Sequence, residues 1–182
     1  YTVGYTELFA LITFTSVGLM GATAAVAGQN LGAGHPERSR RAAMVAASIG
    51  VGVASVVGLV FLVFPRALFM VFGMGDGVQF EIGRQLLSYL AVSGLFVTVA
   101  LAYTGGLQGT GDTRSPLYIS IISQVVVPIG LCTFIQATRE LAPADIWLAI
   151  VLGHMIRATL SVLRFRQGKW RHITVDIGEA RA

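Results

Sequence analysis

The sequence of 182 residues has few charges. Only 12% of the residues are Asp, Glu, Lys or Arg, while 54% are hydrophobic. An ordinary soluble domain has about a quarter charged residues, so these side chains are too few to form its polar surface. Disordered chains are poor in apolar residues, which excludes disorder. The single cysteine, Cys132, excludes a disulfide scaffold. The composition therefore indicates an integral membrane protein.

The charges are absent from long stretches of the chain. Four stretches of 24 to 27 residues contain no Asp, Glu, Lys, Arg or His, and a fifth apolar stretch contains His154 and Arg157. A helix needs about 20 residues to cross the hydrocarbon core. The polarity does not alternate with the period of two that barrel strands show. The sequence predicts an all-α membrane domain over residues 1–170, with five spans at about 8–30, 42–64, 86–108, 116–137 and 145–166.

The basic residues predict the orientation, because Lys and Arg accumulate in cytoplasmic loops. Nine of them fall on one side of the predicted spans and three, Arg66, Arg84 and Arg139, on the other. We therefore expect a cytoplasmic tail at 171–182 and residue 1 outside. The chain begins with Tyr1 and an odd number of spans follows. We expect it to be the C-terminal piece of a longer protein with an odd number of further helices upstream.

Small residues spaced four apart predict close helix packing. The second span has Ala46, Gly50, Ala54 and Gly58, and the third has Gly94, Thr98, Ala102 and Gly106. The first span offers the pairs Gly18 with Ala22 and Gly21 with Ala25. Pro128 predicts a kink in the fourth span, either at a substrate site or for packing alone. Trp147 and Trp170 are predicted to anchor the chain at the two membrane interfaces.

Glycine-rich turns follow the first and third spans, and another (73–77) is predicted outside the membrane. The first two read Gly28-Gln29-Asn30-Leu31-Gly32-Ala33-Gly34 and Gly106-Leu107-Gln108-Gly109-Thr110-Gly111-Asp112-Thr113-Arg114. Neither follows a strand or carries the lysine and hydroxyl of a phosphate loop. They are interpreted as tight turns at the cytoplasmic rim, with a local charge pair between Asp112 and Arg114.

Both turns also resemble a known family. The first, with Glu37 and Arg38, is similar to the cytoplasmic end of the second helix in each half of MATE (multidrug and toxic compound extrusion) transporters. The second, with Pro116, resembles the turn after the fourth helix of a half, and residues 164–170 resemble the tail after the last helix. The three motifs occur in the family's order along essentially the whole chain.

The resemblance implies twelve helices in two lobes of six, of which these spans would be the eighth to the twelfth. It implies secondary active efflux of organic, often cationic, amphipathic compounds by alternating access. The energy source would be a proton or sodium gradient, with no cofactor and no metal. The expected partners are membrane lipid, the missing N-terminal lobe and a small organic substrate, not nucleic acid. The expected location is the inner (plasma) membrane.

No acidic residue lies inside the five predicted spans, since Glu7 and Asp112 fall outside them and Asp145 lies at the interface end of the fifth. Some members of the family use acids in the seventh and tenth helices, and the tenth would be residues 86–108 here. The resemblance therefore favours the DinF-like branch, in which coupling is associated with an aspartate in the first helix of the N-terminal lobe.

The titratable groups inside a span are His154 and Arg157, which share a face of the last helix. They are predicted either to form a gate or to be satisfied by packing and by snorkelling towards the headgroups. Other side chains that could line a cavity, or could simply pack between helices, are Met20, Tyr89, Thr98, Tyr103 and Gln124.

Other functions remain as alternatives. A flippase for lipid-linked oligosaccharides is expected to line its cavity with several basic residues, and this chain has one intramembrane arginine. A membrane enzyme would need paired acids or a histidine cluster at one depth, so no enzyme activity is predicted. A purely structural membrane bundle stays open.

Overall fold

The computed structural model describes residues 2–71 and 77–173, and within these ranges the regular structure is entirely helical. This agrees with the predicted all-α class. The elements in chain order are α1 Thr2–Gly32, α2 Pro36–Val63, α3 Pro65–Val71, α4 Val78–Gly109, α5 Arg114–Ile121, a π turn Ile122–Val126, α6 Val127–Thr138, α7 Pro143–Arg166 and a 3-10 turn Lys169–His172.

Five helical segments are long and apolar enough to cross a membrane, as predicted. They cover Thr6–Gly32, Pro36–Val63, Phe80–Gly109, Arg114–Thr138 and Pro143–Arg166. Their ends extend beyond the predicted apolar runs because charged residues such as Arg38 continue the helical turns. The short helix α3 was not predicted. It begins at Pro65, a residue that is favoured in the first turn of a helix but cannot continue the preceding one.

The helix α4 forms the centre of the bundle and packs against α1, α2 and α7, while α6 and the π turn pack against α7. The predicted small-residue faces of α2 and α4 meet. A Cβ atom at Gly58 would lie 3.2 Å from Ala91 Cβ, and one at Gly50 would lie 3.0 Å from Thr98 Cβ. Such spacing leaves no room for larger side chains, so these two predicted faces are confirmed as packing surfaces.

The predicted small-residue pairs of the first span make no close contact among the described residues. Gly18 and Gly21 have open space around them, and Ala22 and Ala25 are exposed. The close approach between α1 and α4 uses glycines of α4 instead: Cβ atoms at Gly105 and Gly109 would collide with carbonyl oxygens of α1. Close packing needs small residues on only one of two helices. Here the glycines of α4 have no side chain, so the backbone of α1 can approach them directly.

Two helices begin with a proline and an acid in their first turns. Pro36 and Pro143 occupy first-turn positions, with Glu37 and Asp145 in the same turns. Asp145 accepts a 3.0 Å hydrogen bond from the backbone N–H of Ala142 and pairs with Arg139 at 2.6 Å. Only Gly77 of the predicted turn at 73–77 lies within the described residues, with φ of 82° before α4.

We call the end of the bundle that carries the two glycine-rich turns the basic end. It holds the loop 33–35, the loop 110–113 and the 3-10 turn after α7. The opposite end holds the loop 139–142 and the segment that contains α3. All five spans run between these two ends.

Candidate functional site

His154 lies where three helices meet. Its side chain is 7% exposed, and its Nδ1 atom lies 3.0 Å from the Ser93 hydroxyl of α4. The ring of Phe9 in α1 stacks on the imidazole with the centroids 6.0 Å apart. A neutral imidazole has one donor and one acceptor nitrogen, so a hydroxyl can satisfy it in either direction. The contact ties the middle of α4 and of α7 to the start of the Thr6–Gly32 span in α1.

Three buried polar atoms lack a hydrogen-bond partner among the described residues. They are the side-chain nitrogen Gln124 Nε2, the guanidinium nitrogen Arg157 Nε and the hydroxyl Ser161 Oγ. Arg157 and Ser161 are one turn apart on α7, and Gln124 lies in the π turn that packs on α7. An unsatisfied polar group in an apolar medium costs about 2–7 kcal/mol without compensation. Each of these atoms therefore needs a partner that the described residues do not supply.

The fourth span is irregular where it contacts α7. Residues Ile122–Val126 form a π turn that ends two residues before Pro128. Proline has no N–H and its ring crowds the carbonyl of residue i−4, so a wider turn accommodates it. Gly153 of α7 faces this region, because its Cβ atom would lie 3.3 Å from Pro128 Cγ and would collide with the Ser123 carbonyl oxygen. The structure shows this π turn beside Pro128, and the predicted kink stays a prediction.

A narrow crevice lies between α4 and α7 beside Ser93. Its walls are Leu86, Tyr89, Leu90, Ser93, Trp147, Ile150 and Val151. The Tyr89 and Trp147 rings lie 5.7 Å apart. The crevice leaves about 10 Å³ for the centres of water molecules, which is close to the minimum for a single water.

The other predicted cavity residues do not converge on this crevice. Tyr103 packs against Phe165 with the ring centroids 5.4 Å apart and lines a groove on another side of α4. Thr98 is buried and donates to carbonyls of its own helix at Gly94 and Leu95. Met20 is half-buried, and its carbonyl oxygen faces Gly105. A role of these side chains in substrate binding stays a prediction.

The glycine-rich turns end two helices in the same way. Gly34 and Gly111 have φ of 77° and 90°. In each turn the next residue donates to a carbonyl five residues back: His35 to Asn30 at 2.8 Å and Asp112 to Leu107 at 2.9 Å. This is the Schellman pattern, in which glycine supplies the left-handed residue. The interpretation as tight turns is confirmed.

The two turns also touch each other, which the sequence did not indicate. A Cβ atom at Gly28 would lie 2.6 Å from the Gly109 carbonyl oxygen. Nearby, Ser39 donates a 2.7 Å hydrogen bond to the Ala27 carbonyl. Asn30 donates to Val26 O at 2.8 Å, while Gln29 and Gly32 are exposed. The motif residues therefore hold α1, α2 and α4 together at the basic end.

The predicted pair of Asp112 with Arg114 was wrong. Asp112 is 5% exposed and accepts hydrogen bonds from Arg164 of α7 at 2.8 and 2.9 Å. The backbone N–H and hydroxyl of Ser115 also donate to it, at 3.1 and 2.8 Å. Its carboxylate points into the bundle, whereas Arg114 is exposed. Burial by itself raises the pKa of Asp112, but the bonds from Ser115 and Arg164 outweigh this and hold the pKa below its usual value.

Trp170 is a core residue rather than an exposed interface anchor. It is 1% exposed, stacks on Phe165 at 4.9 Å and donates a 2.8 Å hydrogen bond to the Phe165 carbonyl. Arg171 lies over the same ring and pairs with Glu37 of α2 at 2.8 Å. The left-handed Gly168 turns the chain back onto α7, and this buries the indole. Residues 174–182 of the predicted tail lie outside the described residues.

The sequence analysis missed Ser93, Phe9, Ser161 and Phe165. Serine and phenylalanine are ordinary in membrane helices, so only their contacts single them out. A buried histidine does require a polar partner, but Ser93 lies 61 residues away along the chain. Within the described ranges no three His, Cys, Asp or Glu side chains are grouped as a metal site would require.

These features define a multi-pass helical membrane protein with a glycine-packed bundle and polar groups buried within its spans. A family model described as MatE matches residues 3–134. The chain belongs to the MatE family, which confirms the resemblance seen in its turns.

Three relatives illustrate this similarity. A probable multidrug resistance protein NorM of Deinococcus radiodurans is 29% identical over 157 residues, which cover 82% of this chain and 34% of that protein. A protein of the same name in Thermotoga maritima is 26% identical, over 63% of this chain and 24% of that protein. Another in Rhodopseudomonas palustris is 25% identical, over 88% of this chain and 35% of that protein. The chain spans about a third or less of the length of these relatives.

Proposed function

We propose that this chain forms five spans of a secondary active exporter that moves organic, often cationic, amphipathic compounds out of the cell. The observation that carries the proposal is the MatE match over 3–134. The names of the relatives, probable multidrug resistance proteins, support the substrate class. Family membership favours a transporter over an enzyme.

The five spans would be the eighth to the twelfth of twelve, and the other lobe would come from the rest of a longer protein. The matched share of the relatives, about a third, is consistent with this proportion. Substrate would bind between the lobes, alternately open to each side. The basic end would face the cytoplasm of a cell with this protein in its inner membrane, because basic residues accumulate on that side.

The coupling ion would be a proton or sodium. A transporter that couples two fluxes needs groups in the membrane whose charge or hydrogen bonding changes during the cycle. His154 and the three unsatisfied polar atoms at Gln124, Arg157 and Ser161 provide such groups among the described residues. The acids of these spans, Glu7, Glu37, Glu81 and Asp145, all lie within the first three residues of a span, which is consistent with an ion-binding carboxylate in the other lobe.

Dye transport tests the proposal. The complete gene that encodes this chain is expressed in bacteria without their own efflux pumps, and ethidium flux is followed by fluorescence in everted vesicles. We expect uptake into the vesicles when a proton or a sodium gradient is imposed, and loss of uptake when the matching ionophore collapses it. If the protein is present in the membrane but neither gradient drives transport of ethidium or a second cationic dye, the proposal is wrong.

Cysteine labelling tests the orientation. With Cys132→Ser as background, Arg114→Cys places a thiol at the basic end and Glu140→Cys places one at the opposite end; both positions are exposed. A membrane-impermeant maleimide applied to intact spheroplasts should label position 140 and leave position 114 unlabelled until the cells are opened. The reverse pattern would contradict a cytoplasmic basic end.

A further inference from the structure

Arg157 carries a charge inside the last span without an acid to balance it. It lies roughly 13 Å along the helix axis from Arg166, the last residue of α7. Among the described residues Arg139, Arg164 and Arg171 pair with acids near the helix ends, and Arg157 pairs with none. A charged side chain within the membrane pairs with an opposite charge or with carbonyl groups. We therefore expect the partner of Arg157 to come from outside the described residues.

The three buried atoms that lack a partner can all donate a hydrogen bond. Arg157 Nε and Gln124 Nε2 carry N–H groups and cannot accept, while the Ser161 hydroxyl can do either. Ser161 is fully buried, yet it does not bond to the carbonyl four residues back, as the hydroxyls of Ser123 and Thr159 do. A group that satisfies all three atoms must therefore present acceptor oxygens.

Arg157 and Ser161 lie between the two directions in which α7 packs. Gly153 faces the π turn, because its Cβ atom would collide with a carbonyl oxygen of that turn, and His154 faces α4. Measured round the helix from Gly153 at about 100° per residue, Arg157 lies at about 40° and Ser161 at about 80°. His154 lies at about 100°. Both side chains therefore start in the space between the π turn and α4, which we call the polar wedge.

Gln124 reaches the polar wedge from the π turn. The carbonyl of its neighbour Ser123 lies against Gly153, so Gln124 is about one helical turn from Arg157 along α7. A groove on the other side of the contact between α5 and α7 is lined by Ile119. Gln124 is turned by about 100° or more from Ile119 around its helix, which directs it away from this groove.

We propose that Gln124, Arg157 and Ser161 form a binding site for one carboxylate in the polar wedge. The guanidinium supplies the balancing charge and one hydrogen bond, and the amide and the hydroxyl supply two more. A carboxylate has two oxygens with about four lone pairs, so it can accept all three bonds. The single positive charge matches a carboxylate better than a phosphate dianion.

The carboxylate belongs either to an acidic side chain elsewhere in the complete protein or to the transported compound. The second source rests on the proposed function and deepens it, because the exported compounds would then include ones that carry an acid group beside a cation.

Chemical cross-linking tests the source within the protein. The complete transporter with Arg157→Lys is treated in detergent with a membrane-soluble carbodiimide, which joins an amine to a carboxylate in contact with it. The linked peptides are identified by mass spectrometry. The matched control is Arg166→Lys, at an exposed position on the same helix. A link from position 157 to an acidic residue, absent in the control, supports the proposal and identifies the acid.

A pair of dyes tests the transported compound as the source. A rhodamine with a free benzoic acid group and its methyl ester differ only in the carboxylate, and the flux of each is followed in everted vesicles. If the compound supplies the carboxylate, Arg157→Gln should raise the apparent KM for the acid by about tenfold or more, because a hydrogen bond to a charged group is lost. The KM for the ester should hardly change. Ser161→Ala should act in the same direction by a smaller factor, and Arg166→Gln should change neither.

The outcomes separate the two sources and the two proposals. A cross-link without a selective effect on the acid dye assigns the carboxylate to the protein, and a selective effect without a cross-link assigns it to the compound. If neither is found, the carboxylate site is wrong while the exporter stands; Ser161→Ala decides the dye test where Arg157→Gln does not fold. If no gradient drives transport of any dye, the exporter function is wrong, and the cross-link alone decides the site.

Discussion

Arg164 of α7 donates two hydrogen bonds to one carboxylate oxygen of Asp112, at 2.8 and 2.9 Å, across 52 residues of sequence. The carboxylate is 5% exposed, and the arginine side chain is 26% exposed. The loop after α4 is therefore fixed to the end of α7, and Ser115 fixes the same carboxylate to the start of α5. Three helix ends depend on one acidic side chain.

Asp112→Asn should lower the stability of the protein. The amide keeps one oxygen for Ser115 but loses the charge that faces Arg164. Hydrogen bonds to charged groups contribute about 1.5–3 kcal/mol, and the partial exposure of Arg164 puts the expected loss near the lower limit. At about 2–4 °C per kcal/mol for a domain of this size, the apparent Tm in detergent should fall by several degrees.

Glu37→Gln is the matched control, since Glu37 pairs with Arg171 at the same end but its side chain is 69% exposed. Exposed ion pairs contribute about 0–1 kcal/mol, so the Tm should hardly change. An equal effect of the two substitutions would show that burial of Asp112 is not what makes its contact important.

The contact between Asp112 and Arg164 should make the free energy of unfolding depend on pH in the acidic range. Because the bonds from Ser115 and Arg164 hold the pKa of folded Asp112 below its usual value of 3.8, the unfolded chain takes up the proton first. The stabilisation is thus complete above that value and is lost as the pH falls through the lower, folded pKa. Between pH 6 and pH 2.5, the Tm should fall less in Asp112→Asn than in the wild type. Parallel curves would contradict this assignment.

Gly105→Ala should disrupt the contact between α1 and α4. The added methyl group would collide with the Met20 carbonyl oxygen, which is backbone and cannot rotate away. Overpacking of this kind costs about 1–3 kcal/mol, so the Tm should fall clearly. The control is Gly52→Ala on α2, where nothing lies within 4 Å of the new Cβ. That change should be neutral or should stabilise by up to about 1 kcal/mol, through helix propensity.

Gln124→Leu separates stability from function. The amide nitrogen is buried without a partner among the described residues, and replacing it with an apolar group of similar size should leave stability unchanged or raise it. If this amide binds substrate or water during transport, ethidium flux should fall despite the stable fold. The matched control is Gln136→Leu on α6, which is exposed and should affect neither. Wild-type ethidium transport by Gln124→Leu would show that the Gln124 amide does not bind substrate or water during transport.

The number and type of the membrane spans could be predicted from the sequence because hydrocarbon imposes long apolar runs. The spans and the faces of Gly50, Gly58 and Thr98 follow from hydropathy and from a spacing of four. The face of Gly18 and Gly21 has the same pattern but open surroundings. Small residues spaced four apart show that a helix face can pack closely. Whether it does depends on where the neighbouring helices lie.

The polar contacts could not be predicted, because they join residues far apart in sequence. Asp112 has Arg114 two positions away, yet it pairs with Arg164, whose guanidinium reaches the buried side of the loop. Trp170 has the position of an interface anchor, but the turn at Gly168 folds it under α7. In both places the direction of a side chain depends on one loop conformation, which composition does not reveal.

The π turn at Ile122–Val126 has a consequence for how this span would tolerate change. A π turn contains about one residue more than an α turn, so it offsets the phase of the helix by about 100° between its two sides. Deleting a single residue there would remove the wider turn that accommodates Pro128 and leave the span equally apolar and nearly as long. It would also rotate Ile119 and Pro116 away from their present neighbours. The mean hydropathy of the span does not change with such a rotation. A protein with this deletion would therefore insert normally into the membrane and still lose the helix contacts of this span.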